Sequence, residues 1–403
     1  IPRNYKMNDI NEILKQKGKP KAYFNTYKKD RKSFLVYEFD EEFFINQNGC
    51  FLNGKKINGD PFEILNDCIQ SWKNKTDDIA SVGFLSYDLK DLLYPNINFS
   101  KKKYDVPLCW FGKPKEIFYV KNKYIIDKIP ELCPIESRAQ FSHYQKNLKK
   151  IKRKLKNGDV YQVNYTYSKN FKTDDDIFDL FSYLSNIAKP HYGWFFDINT
   201  IQILCFSPEQ FFTTNQQRIY STPIKGTMKR SSDKILDDYN KKILENSEKD
   251  KAENLMITDL IRNDLGKICQ YGSIKVNEIF NIVSFETVHH MVSKVSGILK
   301  SNINEIDIIK ALFPGGSITG APKESSMQII DDLENYSRGI YTGSIGYIKN
   351  NGNMDFNIAI RTMLYKNGKL KYPVGGGIVW DSKIENEWEE TKTKAKILHS
   401  ITK

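Results

Sequence analysis

The sequence lacks any apolar run of 18 residues, so nothing in it reads as a membrane-spanning helix. It also lacks a CxxC pair: six cysteines stand apart at positions 50, 68, 109, 133, 205 and 269. That scatter excludes the common zinc and disulfide frameworks and fits a reducing compartment, so a cytoplasmic location is expected. No apolar h-region follows Ile1, which argues against a secretory signal, and the missing initiator Met suggests a trimmed start. No segment repeats at a period of 20–50 residues, which excludes solenoids and propellers.

A chain of 403 residues with 40% hydrophobic and 13% aromatic content can bury one large core or two moderate ones, and is not wholly disordered. The net charge of +12 has two readings, a nucleic-acid partner or lysine-rich solvated faces. In the densest basic run, Lys149 to Lys156, the apolar residues Tyr144, Leu148, Ile151 and Leu155 fall on one helical stripe and leave the lysines outside. With no zinc-finger or RNP-type signature, a solvated face is expected and no nucleic-acid partner.

Short strands with interspersed helices fill the first 130 or so residues, among them Ser33–Ile45 and Ser81–Tyr87. The stretch Ile129–Ser137 marks a boundary, dividing the chain into 1–135 and 136–403, two regions expected to intertwine in one globular unit. Ser142 reads as the cap of a helix running to Asn157, with Gly158 at C′. Ser247 and Asp250 form an S-x-x-D start for a helix over Ser247–Leu265. Further helices are expected near Ile306–Leu312, at Lys323–Leu333 and from Ile384 to about Ser400. Strands are expected at Val160–Asn170, Ile201–Phe206, Ile274–Val283, Val288–Leu299, Gly343–Lys349 and Asp355–Leu364. Strand runs with segregated helices argue for an α+β fold.

Two of these helices carry acids three apart, Asp250 with Glu253 and Glu387 with Glu390, and such pairs share a helical face. Acidic pairs are common on solvated helices; if the two faces met, their oxygens would suit a hard cation. The glycine-rich loop Phe313–Lys323 fails the Walker pattern, because Ala321 and Pro322 separate the last glycine from Lys323. It reads equally as a tight connection or as backbone N–H groups offered to an anion. Lys225 stands among apolar and turn residues, where partial desolvation would suit a nucleophilic amine, although most lysines are solvated. Glu209, in Phe-Ser-Pro-Glu-Gln-Phe, is a candidate for a raised pKa and proton donation. His290 lies in an apolar strand, where a satisfied core histidine is the commoner case.

Taken in order, these segments resemble the chorismate-binding family, which includes anthranilate, aminodeoxychorismate, isochorismate and salicylate synthases. The match spans about residues 140–397. It is carried by Gly158-Asp-Val-Tyr-Gln-Val-Asn164, Ser207-Pro-Glu-Gln-Phe211, Pro223-Ile-Lys-Gly-Thr227, Ala252 to Gly266, His290-Met-Val-Ser293, Phe313 to Lys323, Ile360-Arg-Thr362, Gly375-Gly-Gly-Ile-Val379 and Glu387-Trp-Glu-Glu-Thr391. The resemblance implies two large antiparallel β-sheets packed as a sandwich with helices outside. It also implies Mg²⁺ tethering the ring carboxylate of chorismate through Glu253, Glu387 and Glu390, with Asp250 acting through water. Arg361 and the backbone of Gly375, Gly376 and Gly377 match positions that hold the enolpyruvyl carboxylate, with Tyr341 beside them. Gly226 and Thr227 are expected to face the ring, and Thr319 in the glycine-rich loop to contact substrate.

Two positions bear on the reaction. Water-adding members resemble one another in placing a lysine where this chain has Gln162, and an amide cannot act as a base toward water. Anthranilate synthases read Pro-Ile-Ala-Gly-Thr at the next motif, whereas Lys225 resembles the aminodeoxychorismate synthase branch. That resemblance implies attack by the Lys225 amine at C2, protonation of the departing C4 hydroxyl by Glu209, and entry of ammonia at C4, with His290 ordering the ring. No Cys-His-Glu glutaminase constellation is visible, so a separate glutamine amidotransferase subunit is expected to supply ammonia. The Leu-Leu-Glu-Ser stretch associated with tryptophan feedback is absent too, and no tryptophan inhibition is expected. Two rival readings remain: an anthranilate synthase component, and a non-catalytic relative that binds through its basic face.

Overall fold

The computed structural model describes residues 6–76, 78–100, 103–135, 141–285 and 288–402, which form two antiparallel sheets, of ten and twelve strands, with helices packed outside them. The ten-stranded sheet runs from Gly320–Ala321 through Gln162–Lys172, Lys369–Ile378, Thr362–Lys366, Ile201–Ser207 and Tyr192–Ile198 to Ala22–Asn25, Ser33–Val36 and Phe118–Val120. Cys133–Ile135 joins it beside Gln162–Lys172. The twelve-stranded sheet runs from Ile224–Lys229 through Val288–Ile298, Arg218–Ser221, Gln210–Asn215, Met354–Ile358, Ser344–Lys349 and Ile79–Leu85 to Cys109–Pro114 and the Phe39–Ile57 meander. Lys275–Ser284 pairs with the outer side of Val288–Ile298.

Each sheet draws strands from both sides of residue 135. The expected boundary at 136 falls in 136–140, outside the described residues.

The sandwich follows from side chains that alternate across each strand. Phe24, Trp194 and Phe196 of the smaller sheet interleave with Phe84, Trp110 and Ile345 of the larger. Trp110 and Phe84 reach Phe196 with ring centroids 5.8 and 6.2 Å apart. The opposite face of Tyr192–Ile198 is covered by the Ile177–Ala188 helix, whose Phe178 and Phe181 meet Phe195. A strand buried on both faces carries a continuous apolar run, Tyr-Gly-Trp-Phe-Phe, instead of alternation.

Several local expectations hold to within a few residues. The helix Glu248–Ile268 starts with Ser247 capping the Asp250 N–H at 3.3 Å. The helix Lys323–Leu333 has the expected bounds. The basic helix Phe141–Lys156 buries Tyr144, Leu148, Ile151 and Leu155, and Gly158 after it has φ 79°. Others need correction. Phe141 already belongs to that helix, so Ser142 lies within its first turn and not at its cap. The last helix ends at Lys394, and a short 3₁₀ turn, Lys396–Leu398, follows.

The run Asp355–Leu364 is not one strand. Met354–Ile358 belongs to the larger sheet and Thr362–Lys366 to the smaller, so the chain changes sheets between them. A period-two apolar pattern continues through this crossing, which is why the sequence hides it.

Trp194 is fully buried between the sheets. Trp194→Ala is expected to cost about 3–5 kcal/mol, read as a lower urea midpoint at unchanged slope. A loss below about 1 kcal/mol would contradict a shared inter-sheet core.

Candidate active site

The chain passes between the sheets at two neighbouring places, and the site is built on them. At Pro208 and Glu209 it leaves Ile201–Ser207 for Gln210–Asn215, and at residues 359–361 it returns. The crossings are hydrogen-bonded to each other: the Ile358 N–H donates to Glu209 O at 3.1 Å, the Phe206 N–H to Arg361 O at 3.1 Å, and the Ser207 hydroxyl to Ile358 O at 2.6 Å. Glu209 and Arg361 are thereby fixed side by side. Arg361 has φ 51°, a left-handed backbone uncommon for a non-glycine residue, and its side chain is exposed.

Lys225 lies on the edge strand Ile224–Lys229, and the pairing of this strand with Val288–Ile298 slips between Lys225 and Thr227. The extra residue is Gly226, with φ 75°, the geometry of a bulge that glycine accommodates. A Cβ at Gly226 would lie 2.8 Å from Leu244 and 2.9 Å from Asp250, so the glycine also lets the strand rest directly on the first turn of Glu248–Ile268. That contact brings Asp250 and Glu253 to Lys225.

The Lys225 ammonium is half-buried, and its charge draws down the carboxyls of Glu209, Glu253 and Glu390. Burial nevertheless holds Glu209 above the usual carboxylate range, tempered by Lys225, a Ser317 hydrogen bond and Lys394. Burial also raises Glu253; Lys225 and Lys249 oppose it, while Asp250 and Glu387 add to it. Glu387 is raised by burial, against a hydrogen bond from Ser382 at 2.6 Å, with Glu390 pushing the same way as burial. At Glu390 burial pushes up, but Lys394, Lys249 and Lys225 outweigh it and leave the carboxyl below its ordinary range.

His290 sits beside this group. Its Nδ1 is 2.8 Å from the Thr227 hydroxyl, and the Gly226 backbone also bonds the ring. Burial, then the Arg361 charge, pushes the imidazole down to about 4, so it is neutral near pH 7. Phe285 is wedged between His290 and His191, 5.3 and 5.1 Å from their centroids.

Gly375, Gly376 and Gly377 pair with Thr166, Tyr165 and Asn164. A Cβ at Gly375 would strike Tyr165 O at 2.3 Å, whereas one at Gly376 would point toward Lys394, Glu387 and Glu390 at 3.4–3.8 Å. At Gly377 it would meet the Gln162 amide at 3.1 Å. Gln162 is fully buried, and neither its Oε1 nor its Nε2 has a hydrogen-bond partner. Such an amide bears a desolvation cost that a bound polar group would relieve.

Not every expected residue joins the group. The Thr319 hydroxyl donates to Gly315 O at 2.9 Å, within its own turn. Tyr341 is buried, and its nearest electrostatic neighbours include Arg338, Tyr372 and Glu334. Lys249, Lys394, Ser317, His191 and Phe285 were not foreseen. Lys249 and Lys394 stand four residues from Glu253 and Glu390 and pair with them at 3.8 and 2.8 Å, so the i,i+4 spacing was a usable signal.

In donor chemistry the acids fit a hard divalent cation, since Asp250, Glu253, Glu387 and Glu390 offer only oxygen from two helices. Burial raises the Glu253 and Glu387 carboxyls, and neighbouring acids add to it at each, Asp250 and Glu387 at Glu253 and Glu390 at Glu387. Among the described residues, no three acidic, histidine or cysteine donors stand close enough to close on an ion as they are. A separate cavity of about 580 Å³, lined by Asn46, Lys56, Asn58, Asp91 and Tyr104 among others, includes none of these groups.

The family described as chorismate binding enzymes matches residues 125–400. The chain belongs to that family. This chorismate-binding enzyme is 41% identical over 267 residues to aminodeoxychorismate synthase component 1 of Klebsiella aerogenes, covering 66% of this chain and 59% of the relative. It is 38% identical over 276 residues to anthranilate synthase component 1 of Aquifex aeolicus strain VF5, covering 68% and 56%. The matched length is thus less than two thirds of either curated relative. Its fold matches anthranilate synthase component I from Streptococcus pneumoniae TIGR4 with a TM-score of 0.80, at 26% identity over 91% of each chain.

In this chorismate-binding enzyme the neutral His290 carries a pH consequence. The folded imidazole titrates at about 4 and an unfolded one near 6.5, so between these values the unfolded chain binds the extra proton. The stability gained by keeping His290 neutral is complete above about pH 6.5 and is lost as pH falls toward 4. NMR of the ring nitrogens is expected to show His290 still neutral at about pH 5.5; a midpoint near 6.5 would contradict its burial beside Arg361.

Proposed function

We propose that this chorismate-binding enzyme is the aminating component of an aminodeoxychorismate synthase, converting chorismate and ammonia to 4-amino-4-deoxychorismate and water on the route to p-aminobenzoate. Overall identity does not separate this from anthranilate formation, since relatives named for the two activities differ from the chain by similar amounts, 41% and 38% identity. The observation that carries the proposal is Lys225 itself, an amine on a bulged edge strand amid Glu209, Glu253 and Glu390.

Chorismate is a dianion, so a site for it needs positive charge toward both of its carboxylates. Arg361 and the backbone of Gly375, Gly376 and Gly377 hold the enolpyruvyl carboxylate, with Tyr341 behind Tyr372 as support. Mg²⁺ would be held by Glu253, Glu387 and Glu390, with Asp250 reaching it through water, and would supply positive charge to anchor the ring carboxylate. The Lys225 amine, in its unprotonated form, bonds to C2 while Glu209, whose hold on a proton burial strengthens, gives a proton to the departing C4 hydroxyl, which leaves as water. Ammonia then bonds at C4, the C2–N bond to Lys225 breaks, and the Glu209 carboxylate takes up the proton shed by the new amine. His290, neutral and bracketed by Thr227 and Gly226, orders the ring by hydrogen bonding and not by charge. Gln162 offers an amide where water-adding relatives place a lysine base, so hydroxide is not generated there.

The ammonia donor in this reading is a separate glutamine amidotransferase subunit, in keeping with the "component 1" naming of the relatives. The catalytic region is 136–403, interwoven with 1–135 through both sheets. A cytoplasmic enzyme accords with the scattered free cysteines. Among the described residues, no helix is long and apolar enough to cross a membrane.

Incubation with chorismate, Mg²⁺ and ammonium, followed by mass spectrometry, is expected to yield 4-amino-4-deoxychorismate in the wild type. Lys225→Ala is expected to lower its formation by about 100-fold or more, and Glu209→Ala by more still. Anthranilate as the wild-type product, or wild-type turnover by Lys225→Ala, would refute the proposal.

A further inference from the structure

The ammonium of Lys249 lies 3.8 Å from Glu253 Oε1 and 4.0 Å from Glu387 Oε1, and so bridges acids on two different helices. Its charge also reaches Glu390. The other two lysines of the cluster are otherwise engaged. Lys394 is held by Glu390 at 2.8 Å and by Gly375 O at 2.8 Å, and the Lys225 charge is shared among Glu209, Glu253 and Glu390. Among the described residues Lys249 is held only by these two long ion pairs, and its side chain is 52% exposed, so it can turn out to water without disturbing the core.

We infer that Lys249 is the resident counter-cation of the Glu253–Glu387–Glu390 cluster and that a divalent cation binds there only by displacing it. This rests on the reading of these acids as cation ligands. An ammonium between Glu253 and Glu387 occupies the space through which both would converge on one ion, and its charge repels that ion at short range. The lysine thus keeps the carboxylates apart and partly neutralised, and exchange for a divalent ion draws them together. Because Lys249 is half-exposed, solvent and salt screen the competition, and its removal is worth about five- to tenfold in cation affinity.

The test uses the full chain and the metal alone, without substrate. Mn²⁺, which shares the preference of Mg²⁺ for oxygen ligands, is titrated into wild type, Lys249→Met, Lys249→Arg and Glu253→Gln, with free Mn²⁺ read by electron paramagnetic resonance. Lys249→Met is expected to bind about five- to tenfold more tightly than wild type, to melt at a lower temperature without metal, and to gain more from added Mg²⁺. Lys249→Arg keeps the charge and is expected to bind like wild type. Equal or weaker binding by Lys249→Met, with Glu253→Gln impaired, would overturn the displacement alone. Wild-type binding by Glu253→Gln would remove the cation-ligand reading itself, and the displacement with it.

Discussion

A positively charged amine enters the cleft between the sheets only where carboxylates meet it. Ionised groups lose several kcal/mol of hydration on burial, and opposite charges a few ångströms apart offset that loss at an effective dielectric near 20. Lys225, Lys249 and Lys394 on one side and Glu209, Asp250, Glu253, Glu387 and Glu390 on the other form one mutually compensating group. No single helix or strand supplies both signs in sufficient number, so the group exists only when the fold is complete. Within it, burial raises the Glu209 carboxyl above its ordinary range, while the lysines draw Glu390 below its own.

The fold meets this requirement through irregularities. The bulge at Gly226 lowers an edge strand onto the Asp250 turn, and the paired crossings at Glu209 and Arg361 carry an acid and a guanidinium into one place. The close backbone approach at Gly375 then lets the adjacent strands meet below the carboxylates of Ile384–Lys394. Regular sheets on either side hold these departures rigidly, as a precise catalytic geometry requires.

Much of this was legible from the residues because the deciding interactions are local. Ser247 and Asp250 announce their helix, Gly158 marks an ending, and the stripe of Tyr144, Leu148, Ile151 and Leu155 is buried as its spacing implies. The motif acids and Lys225 could be singled out by type and order, and Lys225 lies near enough to lower the carboxyls of Glu209, Glu253 and Glu390. What escaped is tertiary. The crossing at residues 359–361 lies inside a period-two pattern, Phe356, Ile358 and Ile360 before it and Leu364 after it, so the exchange of sheets leaves little trace in the sequence. The Thr319 hydroxyl is drawn off by its own turn, a competition that only coordinates reveal. Lys249 and Lys394 stand on charged helices and were not singled out, although their i,i+4 acids were on view. The isolation of the Gln162 amide depends on strands more than 150 residues apart in sequence.

The central claim is that the Lys225 nitrogen itself bonds to the ring. It is tested most directly by mixing the enzyme with chorismate and Mg²⁺ in the absence of ammonia, quenching, and mapping peptides by mass spectrometry. A peptide is expected whose Lys225 carries chorismate less one molecule of water, and which loses that mass when ammonium is added before the quench. An unmodified Lys225 under conditions where ammonium supports full turnover would contradict it.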